Sequence, residues 1–230
     1  MELNLPKPIL YLITRGVTTE TTTPASEEFQ SILLQVSTAV AAGIQLIQIR
    51  EKNLTARVLF QLAASVVAIT SGSPTRILVN DRADVAAAAG ADGVHLTTSS
   101  LTPAVIRKTF GLSFLIGAST HSLNEALEAR QGGADFAVFG PTFPTPSKEA
   151  YGPPLGVDQL AAAATELAPF PLIAIGGISI KNANQCLQAG ASGIAGIRLF
   201  GEPKTLTATV EMISDLPQHG LDGKECRSGE

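Results

Sequence analysis

Eight short apolar runs recur along the chain, at residues 9–14, 44–49, 76–79, 93–96, 114–117, 136–139, 172–175 and 193–199. Most are separated by stretches whose apolar residues fall at three- and four-residue intervals, near 26–42, 56–70, 81–89, 102–109, 122–131, 157–168 and 180–189. A run that is apolar at every position reads as a strand covered on both faces, and the three-to-four spacing reads as an amphipathic helix. Strict alternation of the two predicts parallel strands joined by crossover helices. With eight units the pattern favours the α/β class and a single closed (β/α)8 TIM barrel, with an open doubly wound sheet as the alternative.

A weak internal repeat agrees with this count. Ala42-Gly43-Ile44, Ala89-Gly90-Ala91-Asp92, Gly132-Gly133-Ala134-Asp135 and Ala189-Gly190-Ala191-Ser192 each put glycine where a helix ends before a strand. The repeat is a connection signature and says nothing of activity. Residues 1–216 are expected to form the barrel, and the polar residues 217–230 a disordered C-terminal tail.

Composition adds boundaries. The 45% apolar content is ample for a core, and 16 basic against 20 acidic residues give a net charge of −4. No long basic run marks a nucleic-acid or membrane surface, and no segment reaches the ~18 uninterrupted apolar residues of a membrane span. Cys186 and Cys226 lack metal-ligand spacing and do not form a disulfide framework. These features, with no long apolar leader at the start, lead to the expectation of a cytoplasmic protein acting on small molecules, for which a homo-oligomer is compatible.

In a barrel of this kind the residues just past each apolar run share one mouth. That rule selects Gln48, Arg50 and Lys52 after the second strand, and Asn80 and Asp81 after the third. It then selects 95–100 after the fourth, and Ser119, Thr120 and His121 after the fifth. Thr142, Thr145, Ser147 and Lys148 follow the sixth, Gly176 and Gly177 the seventh, and Arg198 the eighth. Arg50, Lys52 and Lys148 would bring three cations together with hydroxyls of Thr145 and Ser147, the donor set of a phosphate or pyrophosphate site. The plainer alternative pairs Arg50 with Glu51 or Asp81 at the rim. The turn at Gly176-Gly177 is expected to offer backbone N–H groups to a phosphate, helped by a following helix N-terminus. Asp81 is the best Mg²⁺ candidate, its alternative role being a helix N-cap. His121 suits proton transfer or capping, and His95, between Val94 and Leu96, reads as structural.

Six of these motifs occur together: Gln48-Ile49-Arg50-Glu51-Lys52, Val79-Asn80-Asp81-Arg82-Ala83-Asp84, Ala91-Asp92-Gly93-Val94-His95-Leu96, Ser119-Thr120-His121-Ser122, the 140–148 segment and Ala174-Ile175-Gly176-Gly177-Ile178. With them, residues 9–200 resemble the thiamine phosphate synthase and thiazole tautomerase family. The resemblance implies a (β/α)8 barrel in thiamine biosynthesis. In the synthase branch a hydroxymethylpyrimidine pyrophosphate loses pyrophosphate, and the ring nitrogen of a thiazole phosphate captures the resulting cation. Carried over residue by residue, Arg50, Lys52, Asn80 and Lys148 hold the pyrophosphate, Asp81 binds Mg²⁺, and Gln48 and Ser119 address the pyrimidine. Thr145, Ser147 and Gly177 hold the thiazole phosphate, with Gly176 beside them.

Two departures stand out. Where synthases usually carry a second acidic Mg²⁺ ligand, this chain runs Thr97-Thr98-Ser99-Ser100, so the resemblance implies weaker Mg²⁺ binding. Arg198 stands where the family usually has a small serine, and either clamps a phosphate or points to the outer rim. The tautomerase branch shifts a proton in a thiazole carboxylate phosphate with the residue matching His121 as acid and base, and needs no Mg²⁺. The retained cations and Asp81 favour the synthase, and a non-catalytic binder of thiazole or thiamine phosphate is a further alternative.

Overall fold

The computed structural model describes residues 5–145 and 153–217. Strand and helix alternate among the described residues: β1 (Ile9–Ile13), α1 (Glu27–Ala41), β2 (Leu46–Ile49), α2 (Ala56–Thr70), β3 (Arg76–Asn80), α3 (Ala83–Ala89), β4 (Gly93–Leu96) and α4 (Pro103–Phe110) form the first half. The second half comprises β5 (Leu115–Thr120), α5 (Leu123–Gln131), β6 (Phe136–Phe139), α6 (Gly156–Leu167), β7 (Leu172–Ala174), α7 (Ala183–Gln188), β8 (Gly193–Gly196) and α8 (Pro203–Ser214). Every strand pairs in parallel with its sequence neighbour, and β8 closes on β1 through Ile9↔Gly193 to Leu12↔Gly196. The expected (β/α)8 barrel is therefore the fold, and the open sheet is excluded. The pattern reading stops at the eighth strand, whereas α8 follows it and completes the helical ring.

Strand alternation divides the core in two. On β1, Ile9, Tyr11 and Ile13 join Leu46, Leu78, Leu115, Phe136, Val138 and Ile173 inside the barrel. Leu10 and Leu12 face outward into the larger layer between strands and helices. The same parity carries Gln48 inward after Leu46 and Ser119 after Leu115, so their positions follow from the pleat. Cys186 lies in the outer layer, where burial pushes its thiol up to about 12 and leaves it inert.

The glycine repeat ends helices as expected, with Gly90 in the left-handed region at φ 74° after α3. Two residues past the glycine, however, the repeat also carries polar groups that satisfy the entry of the preceding strand. Gln45 Oε1 accepts from Leu10 N at 2.8 Å, Asp92 Oδ2 from Ile77 N at 2.7 Å, and Asp135 Oδ2 from Ile116 N at 2.7 Å. The fourth copy differs: the Ser192 carbonyl accepts from Ile9 N at 3.0 Å, a ladder bond to β1, the next strand round the barrel. Arg107 strengthens this base by donating to Asp135 at 2.7 Å and to the carbonyls of Gly111, Leu112, Phe114 and Gly133.

Of the expected tail, Pro217 still contributes a carbonyl that accepts from Gln188 Nε2 at 2.9 Å, and 218–230 lie outside the described residues. Among the described residues no helix is long and apolar enough to cross a membrane.

Candidate active site

The strand ends bring one half of the selected residues together at the mouth formed by β2 to β5. Gln48 is 2% exposed, and its Nε2 has no hydrogen-bond partner among the described residues. A buried amide left unpaired costs about 1–3 kcal/mol, which a ligand on that side would recover. Two residues on, Arg50 stands half-buried where β2 ends. Its N–H donates to Thr14 Oγ1 at 2.8 Å, and Thr14 N–H donates to the Gln48 carbonyl at 3.0 Å, which fixes the backbone beneath both side chains.

Glu51 explains why Arg50 and Lys52 stay available. Its buried carboxylate accepts from Gly16 N at 3.0 Å, Thr18 N at 3.1 Å and Thr18 Oγ1 at 2.8 Å, so it clasps the loop after β1. The expected alternative of an Arg50 rim pair is thereby corrected. Glu51 is already committed, and the ion pairs among the described residues are Arg15–Glu202, Arg76–Asp92, Arg82–Asp84 and Arg107–Asp135. Lys52 is exposed beyond the clasp.

Asn80 ends β3 opposite His95. Asp81 follows with φ 62°, a left-handed conformation uncommon for any residue but glycine, and its N–H donates to the His95 carbonyl at 2.9 Å. The backbone is thus turned at the rim with the carboxylate exposed. Asp81 is not the helix N-cap of the alternative reading: α3 begins at Ala83 and Arg82 occupies the cap position without a side-chain bond. Across the mouth, Ser100 has turned its hydroxyl into its own loop. Ser100 Oγ accepts from Thr97 N at 2.8 Å and lies 3.0 Å from Thr97 Oγ1. Among the described residues no group of three or more His, Cys, Asp or Glu side chains could hold a metal.

β5 runs to Thr120, three residues beyond the expected end, so Ser119 lies within the strand rather than after it. His95 Nε2 is 2.9 Å from Ser119 Oγ, and His95 Nδ1 is 3.1 Å from the Tyr11 hydroxyl. His95 is thus structural, as its apolar flanks suggest, but it is also joined directly to a site residue. Burial pushes its pKa down to about 3 and keeps the imidazole neutral, while the Tyr11 phenol is pushed well above its ordinary value by the same burial, against a smaller lowering by the Gln48 side chain, which faces the phenol oxygen as a donor. His121 is half-buried just past β5, and its backbone N–H donates to Glu125 Oε2 at 2.7 Å. The cap of α5 belongs to Ser122, whose hydroxyl accepts from Glu125 N at 3.2 Å, so the capping alternative for His121 is not its role.

The other half of the mouth lies over β6 to β8. Thr142 N–H donates to Ile175 O at 2.7 Å and Phe143 N–H to Gly176 O at 2.9 Å, stitching the loop after β6 to the turn after β7. Gly176 and Gly177 have φ of 97° and 64°. A Cβ on Gly176 would stand 2.5 Å from Pro141 Cβ, and one on Gly177 would stand 2.5 Å from the Pro144 carbonyl. The two glycines are therefore demanded by the crossing loop as well as by the turn. The expected helix N-terminus is absent there, because α7 starts only at Ala183. Asn182 Oδ1 instead accepts from Ser179 N at 2.7 Å while its Nδ2 donates to Gly177 O at 3.1 Å. Among the described residues neither glycine N–H donates to a backbone carbonyl.

Arg198 settles beside this turn and not on the outer rim: its Nη2 donates to the buried Thr145 Oγ1 at 2.9 Å. Ser147 and Lys148 lie outside the described residues. Sequence reasoning overlooked Glu51 and Tyr11. Their signals are weak, a glutamate flanked by two cations and a tyrosine within an otherwise aliphatic strand.

Comparison with known proteins identifies the chain's relatives. A family model described as thiamine monophosphate synthase matches residues 16–200. A thiamine-phosphate synthase of Chlorobium luteolum is 44% identical over 74% of this chain and 80% of its own. One of Halalkalibacterium halodurans is 36% identical over 85% of this chain and 94% of its own. The solved thiamine phosphate pyrophosphorylase of Pyrococcus furiosus superposes with a TM-score of 0.73 at 31% identity, covering 90% of this chain and 94% of that one. The chain belongs to the thiamine monophosphate synthase family.

Proposed function

We propose that this protein is a thiamine-phosphate synthase that joins hydroxymethylpyrimidine pyrophosphate to thiazole phosphate. The bond between the exocyclic methylene carbon and the pyrophosphate oxygen breaks, and its electron pair leaves with the pyrophosphate. The thiazole ring nitrogen then supplies the pair for the new C–N bond, so no proton is lost and the thiazolium keeps the positive charge.

The observation that carries this reading is the buried amide of Gln48, whose Nε2 faces the Tyr11 phenol without a full hydrogen bond, two residues before Arg50. It provides a polar floor for a heteroaromatic ring whose charged leaving group points up toward the cations. Arg50, Lys52, Asn80 and Lys148 hold the pyrophosphate, where fixed charge stabilises the departing anion more than the ester. Gln48 and Ser119 orient the pyrimidine. Thr145, Ser147, Arg198 and the N–H groups of Gly176 and Gly177 hold the thiazole phosphate. Arg198 replaces a small residue usual in the family and adds a cation there.

The donor set fits Mg²⁺ held by Asp81 and by the substrate's own phosphate oxygens, since this ion retains waters and accepts one or two carboxylates. When bound, Mg²⁺ would neutralise charge on the leaving group. Ser100 contributes no charge and spends its hydroxyl on Thr97, so Mg²⁺ would be held less tightly than with a second carboxylate there. Ser100→Asp is accordingly expected to lower several-fold the Mg²⁺ concentration needed for half-maximal rate, and an unchanged Mg²⁺ titration would contradict this geometry.

The synthase names of the relatives favour coupling over the thiazole tautomerase and over a non-catalytic binder. Purified protein given both synthase substrates with Mg²⁺ is expected to form thiamine phosphate, to lose this activity in Asp81→Ala and to keep it in His121→Ala. Isomerisation of the thiazole carboxylate phosphate that depends on His121, without coupling, would overturn the proposal.

A further inference from the structure

Tyr11, His95 and Ser119 form a continuous hydrogen-bonded chain from the sealed barrel interior to the mouth. Tyr11 is 0% exposed and His95 2% exposed. The phenol oxygen is 3.1 Å from Nδ1, and Nε2 is 2.9 Å from Ser119 Oγ. The rings are packed: Tyr11 and His95 centroids lie 5.7 Å apart, and Phe136 meets Tyr11 edge-on at 5.7 Å. Gly117 makes room for this cluster, since a Cβ there would stand 2.7 Å from His95 Nδ1 and 2.4 Å from Phe136 Cζ. Neither ring can turn without disturbing the others.

A neutral imidazole carries one N–H, so its two hydrogen bonds have opposite polarity. If Nδ1 accepts, Nε2 must donate. A phenol is a far better donor than a neutral imidazole N–H, and imidazole nitrogen is a far better acceptor than a phenol oxygen. The Tyr11 O–H therefore donates to Nδ1, and Nε2–H donates to Ser119 Oγ. Ser119 then has its own O–H left to point into the mouth. There, on the same interior face, Gln48 Nε2 is a second donor without a partner.

We infer that Tyr11 and His95 are positioning residues that lock the Ser119 hydroxyl as a hydrogen-bond donor, so that Ser119 and Gln48 together present two donors to acceptor nitrogens of a pyrimidine ring. The identity of the ring rests on the proposed synthase reaction, whereas the polarity of the chain rests on the hydrogen-bond geometry and on the donor and acceptor strengths of phenol and neutral imidazole. Discrimination follows: a ring analogue that offers a carbon-bound hydrogen in place of a nitrogen leaves a donor unpaired and is rejected.

The first test reads the tautomer directly in the unmodified protein. With ¹⁵N-labelled histidine, and the signal assigned by its absence from His95→Gln, His95 is expected to show a protonated Nε2 and an unprotonated Nδ1. A protonated Nδ1 would overturn the inference, whether or not the protein couples the two substrates. The second test is kinetic. Tyr11→Phe is expected to raise KM for the pyrimidine pyrophosphate about tenfold, the equivalent of one hydrogen bond, and to leave KM for the thiazole phosphate unchanged. Placed on Ser119→Ala, the same substitution is expected to cost nothing more. An equal penalty in both backgrounds would show a packing role and sink the proposal, and if Tyr11→Phe fails to fold the tautomer measurement decides alone.

Discussion

Arg50→Ala is expected to lower kcat and kcat/KM for the coupling reaction together, by about 10²–10³-fold, the loss seen when one fixed donor to a developing anion is removed. The equal effect on both constants is the informative part. Charge grows on the pyrophosphate as its bond to carbon breaks, so a guanidinium at that place acts mainly in the transition state. Arg50→Lys restores the charge without the planar fork and is expected to recover part of the rate. The residue is well placed for this role because Glu51, its chain neighbour and the natural competitor, is occupied by Gly16 and Thr18. A fall in affinity with kcat unchanged would mean that Arg50 only binds substrate.

Arg107→Ala has the largest expected effect on stability, at the opposite end of the barrel. The side chains of Arg107 and Asp135 are 15% and 6% exposed, and the guanidinium also serves carbonyls at both sides of the β5 entry. Removing it strands a buried carboxylate and several carbonyls, a loss of about 3–5 kcal/mol. For a chain of this size that amounts to roughly 10 °C or more in Tm. Thermal unfolding of Arg107→Ala checks this, and a shift below about 2 °C, under ~1 kcal/mol, would show that water replaces the lost bonds. Because the pair lies beneath the strands, far from the mouth, kinetic constants at low temperature should stay close to those of the parent protein.

Much of the fold was legible because parallel strands covered on both faces leave unbroken apolar runs. Where the structure departs from the pattern, the departures have causes. β5 extends through Ser119 and Thr120 because those polar residues face bonding partners inside the protein: Thr120 Oγ1 donates to the Val138 carbonyl at 3.3 Å. β8 stops at Gly196 although the apolar run continues; past it, Phe200 is buried in the layer between strands and helices and Leu199 packs against that layer. For the site, position at or just past a strand end was enough to select Gln48, Arg50, Asn80, Asp81 and Ser119, although Gln48, Asn80 and Ser119 lie within their strands, and pleat parity orders Gln48 and Ser119 on one interior face.

What the sequence hides are bonds between loops distant along the chain. Glu51 meets residues more than thirty positions earlier, and Arg198 meets Thr145 from 53 positions away. Local pattern holds no trace of either. The double glycine was legible as a turn but misleading in its reason, since the space beside it is filled by residues 141–144 and the helix start lies further on. His95 shows a milder form of the same limit. Apolar flanks identify it as buried, yet only the strand register between β4 and β5 places it against Ser119.

The central claim is tested most directly by incubating the purified protein with hydroxymethylpyrimidine pyrophosphate, thiazole phosphate and Mg²⁺, and following the phosphorus signals over time. The account predicts that thiamine phosphate and pyrophosphate appear one for one. Failure to form thiamine phosphate, with both substrates recovered intact, would contradict it.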